Sequence, residues 1–127
     1  MCGGERLGYD VEFYAKENGS IPVQEFLLSL NPKMRAKVFS EIELLETHGP
    51  NLREPYVKPV KGKIYKGLFE LRIKFSTDIS RIFYFGYRDN TYVLLHGFTK
   101  KTQKTPVREL DKAKRYMEDY ERRCNDG

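Results

Sequence analysis

The side chains of this sequence that could do chemistry are cations set among strand-forming residues. Arg72 stands in LFELRIKF (68–75) and Arg81 in ISRIFYFGY (79–87), each among apolar neighbours. Lys100, Lys101 and Lys104 follow directly on the apolar run TYVLLHGF (91–98), while Lys58, Lys61, Lys63 and Lys66 precede LFELRIKF in a segment that also carries Tyr65. From position 58 to 104 there are eleven Lys or Arg against three acids, a balance of +8 within a chain whose total is +5. A basic middle between acidic flanks is the electrostatic footprint of an anion site, and nucleic acid is the commonest large anion. The competing explanation is a solvated charged face. Charge carried on strands rather than on helices points toward the site.

Two further groups bear on the chemistry. His96 titrates near neutrality and could move a proton, yet it alternates with Tyr92, Leu94 and Phe98 as a histidine satisfied inside a sheet would. Tyr65, inside the basic segment, is the aromatic placed to stack on a base. His48 reads as a helix C-terminal residue with no catalytic role. The two histidines lie far apart, and Cys2 and Cys124 lie near the two ends, so no metal-ligand spacing occurs and neither metal nor cofactor is expected. The opening MCGGERLGYD lacks the apolar centre of a signal peptide, and no apolar run approaches membrane-spanning length. The expected location is cytoplasmic.

These groups must be positioned by regular elements. At 127 residues, without repeat, linker or low-complexity tract, the chain reads as a single domain, 1–127, with an ordered core over about 9–122. YDVEFYA (9–15) alternates as a first strand should. Ser20 can cap a short helix through IPVQEFLLSL, and Asn31 with Pro32 opens a second in which Met34, Val38, Ile42 and Leu45 recur at helical spacing. Gly49 and Pro50 end it, and the two helices form an antiparallel hairpin. In LFELRIKF, Phe69, Leu71, Ile73 and Phe75 share one face while Glu70, Arg72 and Lys74 share the other. Turns at 76–78 and 88–90 link this strand to 79–87 and 91–98 in a meander. Thr105 as cap and Pro106 in the first turn open a last helix to about Arg122, with Val107, Leu110, Ala113 and Met117 on its inner stripe. The fold class is α+β: an antiparallel meander sheet with an N-terminal strand, a helical hairpin packed on one face and a C-terminal helix, the helices being expected together on one side.

The register of the first meander hairpin decides where Arg81 points. A four-residue loop sets Arg81 opposite Lys74, on the face of Arg72. A three-residue loop sets it opposite Ile73, toward the helices. An edge arginine paired with Glu70 or Asp78 is the structural alternative. The end of the third meander strand is expected beside the start of the first, which would bring the two lysine groups together at one end of the sheet, as the two jaws of a phosphate clamp.

LFELRIKFSTDISRIFYF followed by LLHGFTKKTQKTP resembles the RelE/HigB superfamily of bacterial toxins, specifically the phage-associated HigB-like branch with its HGFxKKTxKTP pattern. The resemblance runs from about Tyr9 to Tyr120. It implies a RelE-like fold and the toxin of a type II toxin–antitoxin system: a ribosome-dependent mRNA endonuclease, or mRNA interferase, that inhibits translation by metal-free attack of a ribose 2′-OH on the adjacent phosphodiester. Arg81 matches the family's strand arginine at the scissile phosphate, Arg72 a neighbouring basic position, and Lys100 and Lys101 the basic pair after the last strand. Lys58, Lys61, Lys63, Tyr65, Lys66 and Lys104 would bind RNA. Two departures from the RelE pattern stand out: Glu70 aligns with a catalytic lysine, and QKTP occupies the place of a C-terminal tyrosine. The acid and base are then sought among Lys63, Lys66, Lys104, His96 and Glu70. The implied partners are the ribosome with its mRNA and a helix-turn-helix, HigA-like antitoxin docking on the helical hairpin, with DNA met only through the antitoxin complex and no membrane. The alternatives are a non-catalytic nucleic-acid-binding module, such as a decayed phage gene product, and a protein whose basic loops bind an acidic partner.

Overall fold

The computed structural model describes residues 8–88, 90–100 and 105–126. Strand β1 (Asp10–Phe13) leads into helices α1 (Pro22–Ser29) and α2 (Pro32–His48); β2 (Val57–Pro59), β3 (Phe69–Phe75), β4 (Asp78–Gly86) and β5 (Thr91–Lys100) follow, and α3 (Val107–Asp126) closes the chain. The strands form one sheet in the order β1-β5-β4-β3-β2, with β1 parallel to β5 and every other pair antiparallel.

The local signals act as their chemistry dictates at α2. Asn31 Oδ1 accepts the Met34 N–H at 2.8 Å, Pro32 takes the first helical position, and Gly49, at φ 51°, donates its N–H to the Leu45 carbonyl. Met34, Val38, Ile42 and Leu45 are buried against Leu71, Ile73, Ile82 and Leu94. At α1 the start differs from the expectation: Ile21 holds the cap position without a side-chain bond, and the Ser20 N–H turns back to Asn18 Oδ1. Likewise α3 begins at Val107, with the Pro106 carbonyl accepting from Glu109 and Leu110.

Strand β2 was not expected. Its three residues end on Pro59 and pair only with β3 at the sheet edge, where a missing N–H is tolerated.

Contrary to the expectation from the sequence, the helices do not share one side of the sheet. Helices α1 and α2 cover one face, through Val23, Leu27 and the α2 stripe. Helix α3 covers the other, where Ala113 and Met117 pack with Tyr14, Leu68, Phe83, Phe85, Val93 and Leu95. Val107, expected inside, is exposed. A periodic apolar stripe predicts that a helix is buried but not against which face. Much of the hold on α3 is polar: Tyr14 donates to Asp119, Tyr65 to Asp111 and Tyr120 to Glu12, each at 2.6 Å.

Two details of register set the α3 face. The β3–β4 turn takes two residues, Ser76 and Thr77, shorter than either loop considered from the sequence; Ser76 has φ 58°, as the first position of such tight turns can require. Arg81 therefore lies directly opposite Arg72, on the same face. Between β4 and β5 the register shifts, Phe83 facing His96 and Tyr84 facing Leu94, so that Leu95 is an extra residue, a β-bulge.

Candidate phosphate-binding cleft

On the α3 side the registers arrange side chains in rows across the sheet. One row is Lys58, Glu70, Phe83 and His96; the next is Arg72, Arg81 and Phe98; a third is Lys74, Ile79 and Lys100. Glu70 joins the first two. Its Oε1 accepts the Arg81 Nε–H at 2.9 Å and lies 3.4 Å from Arg72 Nε. Arg81 is completely enclosed, 0 % exposed, in the central strand, with its guanidinium carbon 5.9 Å from the Phe98 ring centre. A charge so buried persists only when paired, and Glu70 is a partner. The edge arginine considered from the sequence is thus replaced by a central one, although the Glu70 pairing is as that alternative had it.

Arg72 has 24 % of its side chain exposed and faces a cleft of about 440 Å³. Lys58 and Lys61 line it with Glu70, Arg72, Thr105 and Leu110. Three cations and one carboxylate around an open volume can receive a phosphodiester: guanidinium matches phosphate oxygens in a planar fork, and lysines supply point charge. Edge strand β2 supplies Lys58, central pairing fixes Arg72, and the chain just before α3 supplies Thr105.

Contrary to the expectation from the sequence, Lys100 does not lie beside the segment that carries Lys58, Lys61, Lys63 and Lys66. With β4 antiparallel to both, β3 and β5 run in the same direction. The end of β5 therefore lies level with the β3–β4 turn, Lys100 opposite Ile79, and away from the start of β3. Lys58 and Lys61 reach the cleft because β2 folds back along β3, whereas Lys63 and Lys66 line a separate groove with Gly67 and Leu68. Lys101 and Lys104 fall outside the described residues.

Tyr65 is corrected from stacking platform to structural pin. Only 7 % exposed, it donates its hydroxyl to Asp111 Oδ1, and that bond, with burial, raises the phenol above its ordinary range. His96 is buried between Phe83 and Phe98, with Tyr116 edge-on and its Nε2 2.6 Å from Glu109 Oε1. Burial, helped by the charges of Lys112 and Lys16, lowers its pKa although Glu109 raises it, so at neutral pH the imidazole is neutral and donates to that carboxylate. This is the satisfied strand histidine foreseen as the alternative to a catalyst, although its partner was not. Glu109 and Asp111 carried no sequence signal, because acids in the first turns of a helix usually meet water or the helix dipole.

Among the described residues no helix is long and apolar enough to cross a membrane. A family model described as phage-derived protein Gp49-like (DUF891) matches residues 25–118, from within α1 to within α3 and well over half of the chain. No curated protein matches the sequence. Match, element order and sheet topology agree, and the chain belongs to the Gp49-like phage-derived family, part of the RelE/HigB-type group of toxins.

Proposed function

We propose that this protein is the toxin of a type II toxin–antitoxin system, of the HigB-like branch, and acts in the cytoplasm as a ribosome-dependent mRNA endonuclease. The observation that carries the reading is the cleft of about 440 Å³ around which Arg72, Lys58 and Lys61 are set, roomy enough for a phosphodiester and its sugar, backed by the enclosed Arg81–Glu70 pair. In the reaction the ribose 2′-oxygen forms a bond to phosphorus, the bond to the 5′-oxygen breaks, and a 2′,3′-cyclic phosphate and a 5′-hydroxyl result. Arg72 and the lysines stabilise the charge that grows on the phosphoryl oxygens, with Lys100 and Lys101 extending the grip on RNA. Arg81 acts from behind, holding Glu70 and through it Arg72. Of the proton carriers considered, Glu70 lines the cleft, whereas His96, Lys63 and Lys66 do not. Catalysis without a metal ion is part of the proposal. The helix-turn-helix antitoxin would dock on the α1–α2 face, where Leu28 and Phe39 are exposed.

The enclosure of Arg81 favours one second reading, a nucleic-acid-binding module that does not cleave. Induction of the gene in a bacterial host separates the two. Growth arrest with new 5′-hydroxyl mRNA ends, both lost in a folded Arg72→Ala variant, is the expected result. Unchanged growth with intact RNA binding would establish the binding module instead.

A further inference from the structure

We infer that Glu70 is a built-in counter-ion that sets an affinity threshold for the cleft, keeping single phosphates out while admitting a phosphodiester chain. The inference rests on the reading of the cleft as a phosphate site and adds to it what decides which phosphates stay.

Among the described residues that line the cleft, Glu70 alone bears negative charge. Its side chain is 11 % exposed, and one oxygen, Oε1, is shared between the Nε atoms of Arg81 and Arg72. A phosphate in contact with Arg72 must therefore sit within a few ångströms of a fixed carboxylate. Like charges at ~6 Å, at an effective dielectric constant of about 20 to 40, weaken binding roughly 10- to 100-fold. The penalty falls on every ligand seated at Arg72, and more heavily on a partly dianionic single phosphate than on a monoanionic phosphodiester. Inorganic phosphate or a mononucleotide has few other contacts, and the penalty empties the site at cellular concentrations. An RNA chain adds contacts at Lys58, Lys61 and the cations beyond the cleft, and linked contacts multiply. Glu70 thus lowers all affinities, and only weak ligands fall below occupancy. Its position also resolves a problem of the folded protein alone, in which a cluster of cations without a counter-ion would repel itself.

The test is calorimetric titration of wild type and Glu70→Gln with inorganic phosphate and, separately, with a 2′-O-methyl RNA hexamer, which lacks the attacking hydroxyl. Glutamine keeps an oxygen for the two Nε–H groups and removes the charge. Phosphate should bind the variant roughly 10- to 100-fold more tightly. RNA should gain by a similar or smaller factor, with the slope of log affinity against log salt unchanged, because no phosphate contact is added or lost. Unaltered or weaker phosphate binding by a folded variant overturns the inference. Where Glu70→Gln does not fold, the double variant Glu70→Gln/Arg81→Met is compared with Arg81→Met, which keeps the carboxylate; phosphate binding no tighter than in Arg81→Met then overturns it equally. If phosphate binding tightens as expected but neither protein binds RNA, the counter-ion role stands and the nucleic-acid reading falls.

Discussion

Replacing Arg81 by methionine should destabilise the protein far more than it alters the accessible cleft. Methionine fills most of the volume beside Phe98 but leaves Glu70, 11 % exposed, without the guanidinium bonded to it at 2.9 Å. Breaking a buried ion pair from one side costs about 3–5 kcal/mol, because the remaining charge stays desolvated. Arg72, 3.4 Å from the same oxygen, relieves part of this, which places the expected loss near the lower end, ~3 kcal/mol. For a domain of this size that corresponds to a fall in melting temperature of roughly 10–15 °C. Urea denaturation of wild type, Arg81→Met, Glu70→Gln and the double variant forms a cycle. The double variant should recover much of the loss, because neither buried charge is left uncompensated. A loss below about 1 kcal/mol in Arg81→Met, or a double variant as unstable as the sum of the singles, would refute the view that this pair is enclosed and coupled. The result also governs how inactive Arg81 variants are understood, since loss of activity there follows from loss of fold.

Other expectations follow from the same geometry. His96 has a folded pKa below 6.5, so its contribution to stability is complete above that pH and declines as pH falls through 6.5 toward the folded value; thermal melts between about pH 7.5 and 5 should show a slope that flattens in His96→Gln. Tyr65→Phe should cost about 1 kcal/mol by deleting the bond to Asp111, while RNA affinity in a filter-binding assay stays within about twofold, because the buried ring offers no stacking face; a large loss of affinity would restore stacking. Lys58→Ala/Lys61→Ala should reduce the salt slope of single-stranded RNA binding by about 1.4 and Lys63→Ala/Lys66→Ala by clearly less, since only the first pair lines the cleft. Equal reductions would mean that RNA follows the sheet edge instead.

The sequence disclosed the elements well where a residue's own chemistry decides the outcome. Asn31, Pro32 and Gly49 bracket α2, and strict alternation in LFELRIKF sets Glu70 and Arg72 on one face. It was silent where the outcome depends on a distant partner. Strand β2 is too short and proline-bounded to show a period, yet it carries Lys58 to the cleft. The inner stripe of α3 could not say which face it covers, nor that Glu109 and Asp111 would hold His96 and Tyr65. The shared face of the two arginines was one of two open outcomes, decided by a turn shorter than either considered. Placement of the lysine loops failed on strand direction rather than on residue type.

The extra residue Leu95 divides β5 into two phases of alternation. Before it, Leu94 belongs to the α1–α2 side; after it, His96, Phe98 and Lys100 belong to the α3 side. The strand is thus read in two frames, one shared with β1 and the other with the arginine rows. Loss of that single residue would close the bulge and merge the two frames. Residues 91–94 would keep their partners, and the imidazole, the ring beside Arg81 and the terminal lysine would still pair with Phe83, Arg81 and Ile79 on the α3 side. Loss of a residue elsewhere in β5 would instead turn the side chains on one side of it to the opposite layer.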